Sequence, residues 1–160
     1  MRLSKVDIAV IQFESAITAY KSDAFIEAIT LRGAAEELLG KLCKLKKNEN
    51  AVKSYYNFAK LHDENLDEKE FISFLNKQRN ALKHFDVTAE FYIEINIEDA
   101  KAMLARATVN FLKLGLKPTK LIDDFISELS NDIKILKASG EFASDGNKIL
   151  SLKCYPNNKN

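Results

Sequence analysis

The sequence predicts an all-α fold, a single helical bundle of five to six helices with one short extended segment near residues 90–97. Three observations carry that expectation. Glycine occurs 5 times and proline 2 times in 160 residues, so little interrupts a helix. Apolar residues recur at the helical period along most of the chain. Capping residues stand where those periodic runs begin. The composition, 46% hydrophobic and 29% charged, is that of an ordinary globular chain long enough to bury a real core.

The first helix is expected over residues 4–20, from the apolar positions Val6, Ile8, Ala9, Ile11, Phe13, Ala16, Ile17 and Tyr20. Ser4 and Asp7 resemble a capping box, with Asp where Glu is preferred. Lys21-Ser22-Asp23 breaks the run, and Asp23 is placed to cap a second helix over about 24–47. That helix carries the stripe Phe25, Ile29, Ala35, Leu38, Leu39 and Leu42, with Cys43 and Leu45 alongside. Lysines at 41, 44, 46 and 47 suit the negative end of its dipole. After the turn Asn48-Glu49-Asn50, a short helix over about 51–61 holds Tyr55, Tyr56 and Phe58.

Asp67 opens the next helix, with Glu70 as its capping-box partner, and this helix is expected to run unbroken to about 84. Residues 90–97 then alternate strictly, which argues an extended segment lying on the bundle or pairing with a second copy. Asn96 is placed to cap a helix over 97–115, ended by Gly115. Pro118 suits the first turn of a last helix reaching about 137. Residues 1–137 are thus expected to form the bundle domain, and 138–160 a loose C-terminal tail.

Several function classes are disfavoured. The net charge is +1, from 24 basic and 23 acidic residues, whereas a dedicated duplex-binding protein is usually more basic. Asp7 and Glu14 interrupt the apolar positions at the start, unlike a signal peptide. No apolar run approaches the ~20 residues that span a bilayer, so a cytoplasmic protein without a membrane partner is expected. Cys43 and Cys154 lie far apart with no metal-ligand spacing, and read as a buried thiol and a tail thiol in a reducing compartment. There is no phosphate-binding glycine loop, nucleophile motif or zinc spacing, so neither metal nor cofactor is expected.

The stretch that points to chemistry is Gln78-Arg79-Asn80-Ala81-Leu82-Lys83-His84. Arginine binds phosphate as a planar, permanently charged fork. Histidine moves protons near neutral pH. Together they are the minimum equipment for cutting RNA without a metal. On a helical wheel with Phe71 at zero, Phe71, Phe74, Leu75, Leu82 and Phe85 cluster within roughly 60° of zero, the core face. Arg79, Lys83, Asn80 and His84 follow at about 80°, 120°, 180° and 220°. They form one polar arc, with Arg79 at its edge against the apolar stripe. The bland alternative is that this arc is an ordinary solvated helix face.

Residues 27–42, 79–84 and 98–115 resemble the second helix, the Arg-polar-x-x-x-His motif and the following helix of small prokaryotic proteins of the HEPN superfamily. The resemblance covers about residues 3–115. It implies an α-helical homodimer in which two motifs face one another across a cleft. In active members that composite site is a metal-independent endoribonuclease, in some cases toxin- or defence-like and restrained by a protein partner. Other members are inactive adaptors or nucleotide-binding partners. If the site is active, the RNA 2′-hydroxyl attacks its own phosphate. His84 would then act as general acid or base and Arg79 as the phosphate ligand that stabilises the developing charge. Asn80 would donate to phosphate or orient His84, and Lys83 would add a cationic contact. Asp86 departs from members with Tyr at that position, so regulation by tyrosine modification is not expected. A carboxylate there also disfavours phosphate.

Other candidates read more simply. His62, beside Asp63 and Glu64, is expected to be a solvated loop histidine rather than a metal ligand. Glu36 and Glu37 are expected on a solvated face, or bridged to Lys41. Tyr55 and Tyr56 are expected to pack rather than to stack bases. Lysines 41–47 with Lys53 serve capping and solubility at least as readily as RNA steering.

Overall fold

The structure is a computed structural model that describes residues 1–84, 92–95 and 97–138, with side chains to residue 132. Among the described residues there are seven α-helices and no strand, as an all-α bundle requires.

Helix α1 (Lys5–Lys21) opens on the expected capping box. Asp7 N–H donates to Ser4 Oγ at 3.1 Å, and Ser4 N–H donates back to the Asp7 carboxylate at 2.9 Å. The Ser4 contacts, side chain first, hold the Asp7 carboxyl below its usual range. Helix α2 (Phe25–Leu45) does not use Asp23 as its cap. Asp23 takes a left-handed φ of 59° and instead closes α1. Its N–H reaches Tyr20 O at 3.2 Å while Ala24 N–H reaches Ala19 O at 2.9 Å, the paired bonds of a Schellman turn. The orphan carbonyls of α1 thus claim the residue that the sequence offers to α2. Lys47, also at φ 59°, ends α2 in the same way, with Asn48 N–H on Cys43 O at 2.8 Å.

Helix α3 (Ala51–Lys60) is capped by Asn50, and α4 (Glu68–Leu75) by Asp67, whose side chain accepts from Glu70 N–H at 2.8 Å. The expected single helix from 67 to 84 is broken at Asn76, and α5 (Lys77–Lys83) follows as a separate segment. The break has a packing cause. A continuous helix would send Phe71 and Leu82 toward one core, yet they pack against two. Phe71 packs with Tyr56, Ala59 and Leu66 in a small cluster between α3 and α4, its ring 6.1 Å from that of Tyr56. Leu82 instead packs on the main core.

Helix α6 (Ile97–Lys113) ends near Gly115, whose φ of +64° suits glycine. Helix α7 (Lys120–Ala138) begins two residues after Pro118, which precedes the helix rather than opening its first turn. The main core joins α1, α2, α6 and α7, with Phe13 against Phe111 at 5.9 Å and Tyr20 edge-on to Phe125 at 6.1 Å. Residues 92–95 adopt no regular element. The rest of the expected extended segment, the Asn96 cap, Phe85, Asp86 and residues 139–160 of the expected tail lie outside the described residues.

One buried polar residue ties the start of α3 to α6. Asn110 of α6 is 1% exposed, and its side-chain oxygen accepts from the N–H of Ala51, the first residue of α3, at 2.7 Å. Cys43 of α2 lies on the same spot, Sγ 3.5 Å from Asn110 O, and burial pushes its thiol up.

Candidate functional site

The four motif residues share α5 and its C-cap, but the structure divides them. Asn80, Lys83 and His84 are exposed, and His84 is the C-cap, where the helix turns extended. Asn80 and His84 are joined through the backbone, His84 N–H donating to Asn80 O at 2.9 Å. Arg79 turns the other way. Its stem lies over Gly33 of α2, so close that a Cβ on Gly33 would meet Arg79 Cδ at 2.7 Å and Cγ at 3.1 Å. Arg79 Nε is buried with no hydrogen-bond acceptor. Among the described residues no side-chain hydrogen bond links Arg79 to His84.

Arg79 meets a charged cluster that lies inside the fold. Arg32 of α2 is 0% exposed and Arg106 of α6 is 4% exposed, and both close on Glu36, which is 5% exposed. Arg32 Nη1 donates to Glu36 Oε2. Arg106 Nη2 reaches the same oxygen at 3.4 Å, and Arg106 Nε stands 3.2 Å from Oε1. That second contact is an ion pair too bent to satisfy either atom as a hydrogen bond. Arg106 Nη1 donates to Leu75 O at 2.8 Å. In an unbroken helix the Leu75 carbonyl would accept from the amide of Arg79. The break at Asn76 thus leaves it for Arg106.

Among the described residues the cluster carries surplus positive charge: Arg32 and Arg106 share the Glu36 carboxylate, and Arg79, half-buried at its edge, adds a third guanidinium. Burial, then the charges of Arg106 and Arg79, hold Arg32 well below the ordinary arginine range. Burial likewise brings Arg106 down to about 10, with Tyr55 opposing and Arg79 adding to the fall. Arg32 Nε and Nη2 are buried without acceptors. Glu37 points outward, where Lys41 donates to it at 2.7 Å and, ahead of the charges of Lys83 and Arg79, holds its carboxyl low.

The two neighbouring glutamates therefore part company. Glu37 is exposed and bridged to Lys41 as expected, whereas Glu36 is buried rather than on a solvated face. Arg32 and Arg106 belong to no sequence motif, although the sequence carries a signal for them. Arg32 and Glu36 fall on the α2 stripe of Ile29, Leu39 and Cys43, and Arg106 falls between Met103 and Asn110 on α6, where apolar residues would be expected.

Among the remaining candidates, Tyr56 packs on Phe71 and is 5% exposed. Tyr55 is half-buried, and burial raises its phenol against the pull of Arg106. His62 is exposed, edge-on to Phe58 at 5.1 Å. No group of three or more potential metal ligands occurs among the described residues. Nor is any helix there long and apolar enough to cross a membrane. Comparison of the chain with protein-family models, with curated proteins and with solved structures found no match.

Proposed function

We propose that this protein is a cytoplasmic, HEPN-type endoribonuclease that cuts RNA without a metal and works as a homodimer. The observation that carries this reading is the disposition of α5. One half-buried arginine with an unpartnered Nε and one exposed histidine stand on the same seven-residue helix and its cap. In the reaction, the RNA 2′-oxygen bonds to the adjacent phosphorus as the bond from phosphorus to the 5′-oxygen breaks. One His84 takes the proton from the 2′-hydroxyl, and the His84 of a second copy gives a proton to the leaving 5′-oxygen. Arg79 holds the phosphate through the step and offsets the charge that builds on its oxygens. Asn80, exposed one turn before His84, donates to the phosphate or orients the imidazole, and Lys83 adds a cationic contact.

The test is cleavage of a mixed RNA pool in the presence of EDTA, comparing the wild type with Arg79→Ala and His84→Ala. The expected result is product ending in a 2′,3′-cyclic phosphate, lost in both variants, from a protein that sediments as a dimer. A folded dimer that leaves RNA intact at high concentration would refute it. The second reading is a catalytically silent helical dimer serving as an adaptor or nucleotide-binding partner. It is favoured by the inward turn of Arg79 toward α2, away from His84, and it predicts that a partner or nucleotide binds without turnover.

A further inference from the structure

Among the described residues, the buried guanidiniums of Arg32 and Arg106 share the single carboxylate of Glu36, which leaves one buried positive charge uncompensated, and Arg79, half-buried at the edge, adds a third cation whose charge also reaches the outward Glu37. Such an arrangement is costly unless something neutralises it, because a buried charge without a counter-charge loses its hydration for no return. Glu36 answers one cation and is shared between two. The unmet donors are all on guanidiniums: Arg32 Nε and Nη2, Arg79 Nε, and Arg106 Nε, which stands near Glu36 Oε1 without a hydrogen bond to it. Each is an N–H that water or an acceptor should satisfy when buried.

We propose that Arg32, Arg79 and Arg106 form an oxyanion-binding site that takes a phosphate group, with Glu36 as the fixed counter-charge holding Arg32 and Arg106 in position. A guanidinium offers two parallel N–H groups to a tetrahedral oxyanion, and clustered arginines recognise phosphate in this way. The diester of a nucleic-acid strand would offset the buried surplus charge, and the dianion of a phosphate monoester would answer Arg79 as well. Access is from the α5 side. Arg32 is sealed, but Arg79 is partly exposed and α5 buries no side chain. A small shift of that helix brings an entering phosphate onto Arg79 first and then onto the free edge of Arg32. Tyr55, half-buried near Arg106, lines the α3 side with a neutral hydroxyl.

This site goes beyond the nuclease reading, because it binds phosphate whether or not the chain cuts RNA. It also concerns two arginines, Arg32 and Arg106, outside the sequence motif.

The test is thermal unfolding of the full chain in inorganic phosphate, in a 5′-mononucleotide and in a short 2′-O-methyl RNA, which cannot be cleaved. Each arm is measured against sodium chloride at matched ionic strength. The expected result is a Tm that rises with the logarithm of ligand concentration above the chloride control. Arg79→Gln should abolish that rise, and Arg106→Lys, which keeps the charge and loses the fork, should weaken apparent affinity at least tenfold. A response to inorganic phosphate or mononucleotide assigns the site to a free phosphate or a nucleotide. A response to the oligonucleotide alone assigns it to a strand. Arg32→Met supplies the second readout if Arg79→Gln does not fold. The proposal is overturned if phosphate, nucleotide and oligonucleotide all match chloride. It is equally overturned if the folded variants respond as the wild type does. RNA cleavage plays no part in these readouts, so failure of the nuclease leaves them intact.

Discussion

Arg32 and Glu36, one turn apart on α2, are paired to each other inside the protein, with side chains 0% and 6% exposed. An exposed pair at this spacing stabilises a helix by only about 0.3–0.5 kcal/mol. Here the pair is the centre of a network, because Arg106 pairs with the same carboxylate and the charge of Arg79 also reaches Arg32.

The carboxylate is therefore worth more than either buried arginine. Glu36→Gln leaves the buried Arg32 and Arg106 with no anion between them, and breaking a buried pair from one side costs about 3–5 kcal/mol. Arg32→Met removes one cation and leaves Glu36 with Arg106. Denaturant unfolding should show Glu36→Gln as the more destabilised of the two. Equal midpoints would mean that the cluster is not electrostatically strained.

Gly33→Ala is expected to unseat Arg79 without touching a charge. The new methyl would meet Arg79 Cδ at 2.7 Å, and the stem must move aside. Alanine also favours the helix by up to about 1 kcal/mol, so global stability should change little. Phosphate-dependent stabilisation, and RNA cleavage if the wild type shows it, should fall about tenfold or more, the effect of a misplaced catalytic group. Unchanged behaviour in both assays would show that the seat on Gly33 does not matter.

Asn110→Ala should loosen α3. The variant leaves the buried N–H of Ala51 without its acceptor, a loss of about 1–3 kcal/mol. Hydrogen exchange should rise first at the start of α3, ahead of α1. Uniform protection across both helices would contradict this.

Two phenols contribute to the alkaline behaviour, beside the Cys43 thiol and the Arg106 guanidinium. Burial raises Tyr20, against Lys101, and raises Tyr55, against Arg106, above the ordinary value of 10.0. The folded state binds these protons more tightly than the unfolded state. Their contribution is therefore fully present below pH 10 and is lost as pH climbs through the raised values. Ultraviolet titration should show two late-ionising tyrosines, one removed by Tyr20→Phe and one by Tyr55→Phe, and the denaturation midpoint should drop as pH passes about 10. Five tyrosines titrating together would exclude it.

Helical period and caps made most of the fold legible. Ser4 and Asp67 mark real helix starts because their side-chain oxygens satisfy amides within the next turn, which is local chemistry. Asp23 misled because a second local demand, closure of α1, competed for the same residue. The break at Asn76 could not be read from the wheel, since Phe71 and Leu82 share an angle and only tertiary packing sends them to separate cores. At the candidate site, Arg79 at the edge of the apolar stripe anticipated its half-buried position. The buried cluster beside it stayed hidden because Arg32 and Arg106 are distant in sequence, Glu36 has the spacing of a solvated residue bridged to a lysine, and only the contact of α2 with α6 brings them together.

The shortness of α5 has a last consequence. A seven-residue helix is well below the ~12–15 residues at which an isolated helix is even marginal in water, so it holds its shape only through its attachments. Those include Leu82 on the core, Gln78 bonded to Asp99, and the Arg79 stem on Gly33. Arg79 is thus a mooring as well as a charge. Truncating it to alanine removes a cation and slackens the segment that presents His84, two injuries that a single assay would report as one. Arg79→Lys, which keeps an aliphatic stem for the Gly33 seat while giving up the planar fork, separates the rope from the hook.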